Sequence, residues 1–193
     1  MSTRTEDEMS IMVLTEMRKL LKDEPYKLGN NKRILTDVTC VPTPDSFKLV
    51  HGFADTDIAI YKEINIPINN SSFIQFYRDA LTNEGKFAVP FIIIELKSGK
   101  KLNSDNIRAR EHVASKIREL FPFTAYYFFA ENTTKQKLTL MRQGKSFTDS
   151  FIFKNQVTKK EIESIVYNYM LPHIRRIERQ LKTLGELASE ELE

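Results

Sequence analysis

The sequence predicts an α/β protein: a mixed central sheet flanked by helices, with further helix added toward the C-terminus. Three observations predict it. The run Pro90-Phe91-Ile92-Ile93-Ile94-Glu95-Leu96-Lys97-Ser98-Gly99-Lys100 reads as a buried strand closed off by Gly and Lys at a charged, exposed end. A second run, Phe123 to Ala130, is almost continuously apolar, as expected of a strand covered on both faces. Between them, helical periodicity extends from Ser104 to about Leu120, so the three pieces suggest a crossover whose helix packs on the sheet.

With 193 residues the chain is expected to form one domain around a two-layer core. Hydrophobic residues make up 41% and charged residues 28%, which places it with globular rather than disordered chains. It contains no run of eighteen apolar residues, so no membrane span is expected, and residues 1–8 lack the basic head and apolar centre of a secretory signal. A cytoplasmic location is the expectation. The single cysteine, Cys40, excludes an internal disulfide and a cysteine-based metal site. His51, His112 and His173 are too scattered for a zinc motif, so a bound metal would be a hard ion on carboxylates. A net charge of +3 permits nucleic acid as a partner without requiring it.

Taken in order, Thr5 with Glu8 makes a capping box, and Ile11, Leu14, Met17 and Leu21 recur at helical spacing through Asp23. Glu16 lies at the edge of that apolar stripe. Pro25 and Gly29-Asn30-Asn31 then signal a turn. Lys32 to Val41 reads as a strand, Ser46 to His51 as a short one, Gly52 to Thr56 as a turn and Asp57 to Lys62 as the return strand of a hairpin. Ser72 to Leu81 carries a short helical pattern. After the crossover, weaker strands are expected over Lys137–Met141 and Ser150–Phe153. Thr158 with Glu161 caps a last helix that Pro172 should kink or split and Gly185 should end. Residues 8–130 are expected to form the core and residues 158–185 a C-terminal helical extension.

Glu95 and Lys97 are two apart on a strand, so both leave the sheet on one face while Leu96 leaves on the other. Asp57 begins a strand that can pair beside theirs. Phosphodiester hydrolysis needs charge neutralised at phosphorus and a hydroxide near neutral pH. Divalent Mg or Mn on Asp and Glu oxygens supplies both, and a neighbouring lysine can orient the attacking water and stabilise developing charge.

The hairpin ending in Asp57, followed by the apolar run to Glu95-Leu96-Lys97, resembles the PD-(D/E)XK nuclease superfamily. The superfamily includes restriction endonucleases and archaeal Holliday junction resolvases. The order helix, strands, Glu-x-Lys strand, helix, strand is similar to its restriction endonuclease-like α-β-β-β-α-β core. The resemblance implies an Mg- or Mn-dependent DNA nuclease. Asp57 and Glu95, with the carbonyl of Leu96, would hold the metal, Lys97 would be the catalytic lysine, and Glu16 would match the first-helix glutamate that some branches use. Thr56 stands where the family has proline, and Asp55 is an alternative ligand to Asp57. Lys100, Lys101, Arg108 and Arg110 around this strand, and Arg175, Arg176 and Arg179 on the last helix, are candidate DNA contacts. The last helix could instead dimerise, since nucleases of this type often cut two strands with two protomers. A binding protein with a degenerate site and a structural oligomerisation protein are the alternatives.

Overall fold

The computed structural model describes residues 4–44, 46–65, 86–98, 104–131 and 147–190. Helix α1 (Glu6–Leu20) starts where the capping box places it: the Thr5 hydroxyl accepts from the Glu8 amide and the Glu8 carboxylate accepts from the Thr5 amide. Strands β1 (Lys27–Thr43), β2 (Ser46–Asn65) and β3 (Lys86–Ser98) follow as antiparallel neighbours. Helix α2 (Ser104–Leu120) crosses over to β4 (Ala125–Glu131), which pairs parallel with β3, and β5 (Asp149–Phe153) adds in parallel at the edge. The chain closes with α3 (Lys159–Ile165), a π-helical turn (Val166–Met170) and α4 (Leu171–Glu190). The sheet order is β1-β2-β3-β4-β5, a mixed sheet with helices on both faces.

Alternation along β3 divides its side chains between two cores. Ile92, Ile94 and Leu96 join α1 and the C-terminal helices on one face, and Ile93 joins α2 and β1 on the other. Every residue of β4 is buried, as its unbroken apolar run requires. Ile162, Ile165, Met170 and Ile174 share the core of α1, so the C-terminal helices cover one face of the sheet.

The hairpin is longer than expected. Gly29-Asn30-Asn31 lies inside β1, with Asn31 at φ +48° and left out of the pairing register, and Gly52 to Thr56 runs as strand. The chain reverses near Pro44 instead. Gly52 faces a register shift between Leu35 and Asp37, where an added Cβ would lie 3.0 Å from the Asp37 Cβ, so close strand approach rather than a turn demands this glycine.

The break expected at Pro172 takes the form of the π turn just before it, in which the Leu171 amide donates to the Val166 carbonyl. The helix continues past Gly185 to Glu190. The helix expected over Ser72–Leu81 and the strand over Lys137–Met141 fall outside the described residues. Thr158 and Glu161 form a second reciprocal capping box. Thr158→Ala is therefore expected to lower stability by about 1 kcal/mol, read as a shifted midpoint in urea denaturation with an unchanged slope.

Candidate active site

Sheet register brings the candidate residues together at the C-terminal ends of β3 and β4. Asp57 lies one step beyond the Ile58–Ile94 pair, level with Glu95 on the neighbouring strand. Its Oδ2 accepts from the Leu96 amide at 2.7 Å, so the carboxylate is fixed against the main chain of the Glu-x-Lys segment. Asp55, two residues earlier, is exposed and sits opposite Arg33, so the structure brings Asp57 rather than Asp55 to this centre.

Glu95 is fully buried. Its Oε1 lies 2.7 Å from Arg110 Nε and 3.3 Å from Lys97 Nζ. Neither approach has good hydrogen-bond alignment, so this buried oxygen is held chiefly by the charges of Arg110 and Lys97. The Tyr126 hydroxyl donates weakly to Oε2 at 3.4 Å. Burial, and then the neighbouring Asp57 charge, push the Glu95 carboxyl up to about 7, while Arg110 and Lys97 pull the other way. Burial likewise raises the Tyr126 phenol well above its usual range, so it remains a neutral donor.

Lys97 Nζ donates to Glu6 Oε1 at 2.7 Å. Burial works against its charge, yet the bond to Glu6 and the charges of Glu95 and Asp57 outweigh it, and the amine stays above its ordinary value. As the site stands, Lys97 is an ammonium at neutral pH. That suits it to orient water and stabilise negative charge rather than to act as a free base.

The α1 glutamate that meets Lys97 is Glu6, and the structure does not bring Glu16 to this centre. Glu16 lies ten residues further along α1, about 15 Å at the helical rise, and pairs with Lys19 at 2.8 Å and Lys159 at 3.4 Å. Glu6 is held in place by the segment before it. The Arg4 carbonyl accepts from Ser98 Oγ at 2.6 Å, and the Arg4 guanidinium meets the buried Glu131 carboxylate at 3.2 Å. Glu131 also accepts from the Val157 amide at 2.6 Å. Its carboxyl is raised by burial, against the opposing pull of that amide and Arg4. The start of α1 is thereby clamped over the ends of β3 and β4.

Beside Asp57 and Leu96, Glu6, Asp7, Asn30 and Asn31 line a cleft of about 250 Å³. Among the described residues no three Asp, Glu, His or Cys side chains come together as a metal-binding group. The carboxylates at this end are Asp57 and Glu95 on the strands and Glu6 and Asp7 at the start of α1. Asp57 and Glu95 suit a hard divalent cation in chemical type, with Arg110 and Lys97 as the competing charges.

The basic residues separate into different places. Arg110 is committed to Glu95, Arg108 is exposed two residues earlier on α2, and Lys100 and Lys101 fall outside the described residues. Arg175 pairs with Glu24 at 3.2 Å. It belongs with Arg176 and Arg179 to α4, which packs near Phe123 at the opposite ends of the strands. Pro90, bonded to Thr124 there, is five residues from Glu95, roughly 17 Å along the strand.

Sequence reasoning missed Glu6, Arg110 as a partner of Glu95, and the Arg4–Glu131 clamp. Glu6 had one visible signal, its place in the acidic first turn after the capping threonine. Nothing local marks Arg110 for Glu95, because the rotation of α2 decides it.

No family model matches the chain. Over 116 residues, 60% of this chain, it is 34% identical to the uncharacterized protein MJ1542 of Methanocaldococcus jannaschii. The similar stretch spans 13% of that protein's length. No helix among the described residues is long and apolar enough to cross a membrane.

Proposed function

We propose that this protein is a metal-dependent deoxyribonuclease on a restriction endonuclease-like core. The observation that carries the reading is the meeting of Asp57, Glu95 and the Lys97 ammonium at one end of β3, with Asp57 bonded to the Leu96 amide. Asp57, Glu95 and the Leu96 carbonyl would hold Mg or Mn. When bound, the ion supplies charge neutralisation at phosphorus and an acidified water. Lys97, oriented by Glu6, holds the attacking water and stabilises charge on the phosphoryl oxygens. Tyr126 keeps the Glu95 carboxylate oriented from beneath. Arg108, with Lys100 and Lys101 on the connection after β3, contacts the DNA backbone, and two protomers cut the two strands.

The deciding experiment is cleavage of labelled linear duplex, single strand and four-way junction with Mg, with Mn and with chelator. Metal-dependent cutting is the expected result, and the absence of cutting on all three substrates sinks the reading. Glu16→Ala is expected to cut as well as the wild-type chain, since its partners are Lys19 and Lys159; a loss of cleavage with the fold intact would put Glu16 back into the site.

A second reading, a nucleic-acid-binding protein with a degenerate centre, is favoured by one observation. Arg110 Nε lies 2.7 Å from Glu95 and supplies positive charge where a cation would. This reading expects salt-sensitive DNA binding and no change in thermal stability on adding Mg or Mn.

A further inference from the structure

Away from the carboxylate centre, an open groove of about 940 Å³ runs between the C-terminal end of α2, the Phe121–Thr124 connection and α4. Among the described residues its lining includes the guanidinium side chains Arg118, Arg176 and Arg179 and no carboxylate. Two of the three are held by their own element. Arg176 Nη2 lies 3.2 Å from His173 Nδ1, and His173 Nε2 lies 2.9 Å from the Phe123 carbonyl, so the ring accepts from the arginine and donates to the backbone. Burial, with Arg176 and Arg118 nearby, keeps His173 below its usual range and therefore neutral, as this bonding requires. Arg179 Nε donates to the Arg175 carbonyl at 3.3 Å. Arg176 and Arg179 are three apart on α4 and so present neighbouring charges.

The apolar part of the lining is Phe123, Ile177 and Leu181, of which Phe123 and Leu181 continue into an adjoining pocket that also holds Lys62 and Glu178. Phe123 is half-buried, 5.9 Å from the ring of Phe91 and 6.3 Å from that of Phe121, and Leu181 on α4 is 40% exposed. Fixed guanidinium groups beside an aromatic surface match a chain of alternating phosphates and flat rings. An acidic peptide would satisfy the charges but offers no regular flat face for Phe123.

We infer that this groove binds a single-stranded nucleic acid segment, its phosphates on Arg176 and Arg179 and a base against Phe123 and Leu181. The groove is distinct from the carboxylate centre and lies toward the opposite ends of β3 and β4. If the nuclease reading holds, the groove carries an unpaired strand of the substrate. If the centre is degenerate, the groove remains a binding site.

The test is fluorescence anisotropy of a labelled oligothymidylate with the full chain in chelator, which prevents cutting. The Arg176→Ala/Arg179→Ala double variant is expected to bind about tenfold or more weakly, and its slope of log affinity against log salt should fall by roughly 1.4, the share of two single-strand phosphates. Leu181→Glu, at an exposed position, should weaken binding as well. Unchanged affinity and slope in the double variant would overturn the inference. So would a polyglutamate peptide competing as well as the oligonucleotide, which would make the groove a peptide site. Glu95→Gln is expected to bind oligothymidylate normally, so a failure of the groove is read separately from a failure of cleavage.

Discussion

Glu95→Gln is expected to reduce metal-dependent cleavage by at least about 10²–10³-fold while leaving the fold intact. Glutamine keeps the size of the side chain and the contact with Tyr126 but removes the charge that a divalent cation needs. The same substitution has a second, independent readout in stability. The folded Glu95 carboxyl is raised to about 7 from 4.5, so the native state binds the proton more tightly than the unfolded chain. Its favourable contribution is fully present below about pH 4.5 and is lost as pH rises through 7, a change of about 3 kcal/mol for a shift of this size. Wild type should therefore lose stability between pH 5 and 8 by more than Glu95→Gln does, measured by urea denaturation at both values. Equal losses in the two proteins would show that Glu95 is not titrating in this window. The same titration implies that Mg binding and cleavage rise as pH passes through 7, because the ion requires the deprotonated carboxylate.

Lys97→Ala carries the next largest expected effect, a fall in rate of about 10²-fold with Mg affinity retained. The ammonium is held between Glu6 at 2.7 Å and Glu95 at 3.3 Å, and neither contact is needed for the carboxylates themselves to meet an ion. Calorimetric titration with Mg should give binding by the variant, and single-turnover cleavage should give the rate loss. A variant that no longer binds Mg would assign Lys97 to building the metal site instead. Glu6→Gln should show a weaker form of the same rate defect, since it removes the charge that orients Lys97 but leaves the ammonium in place.

Much of the fold was legible because it follows from local chemistry. The capping boxes at Thr5 and Thr158 set where α1 and α3 begin, and both are formed as expected. The unbroken apolar run of β4 marked a strand buried on both faces, and all seven residues are buried. The period of two along β3 placed Glu95 and Lys97 on one face. The hairpin was misread where glycine has two uses: Gly52 permits close approach to Asp37 across the ladder rather than a reversal, and only the partner strand distinguishes these.

The site divides along the same line. Residue types and spacing along one strand fixed Glu95, Leu96 and Lys97 as a unit, and the start of the return strand singled out the Asp55–Asp57 pair. The choice of Asp57 required the β2–β3 register, which brings its carboxylate to the Leu96 amide. The choice of Glu6 over Glu16 required the clamp of Arg4 on Ser98 and Glu131, because helical periodicity says which side of α1 is apolar but not which end lies over the strand ends. The pairing of Arg110 with Glu95 depended on the rotation of α2. The separation of the arginines on α4 from the carboxylates depended on where α4 crosses the sheet. Local chemistry set the starts of α1 and α3, the buried strands β3 and β4 and the groups they carry, since those depend on neighbours a few residues away. The extent of the hairpin and which groups meet came from packing, since they depend on register, helix rotation and contacts between residues far apart in the chain.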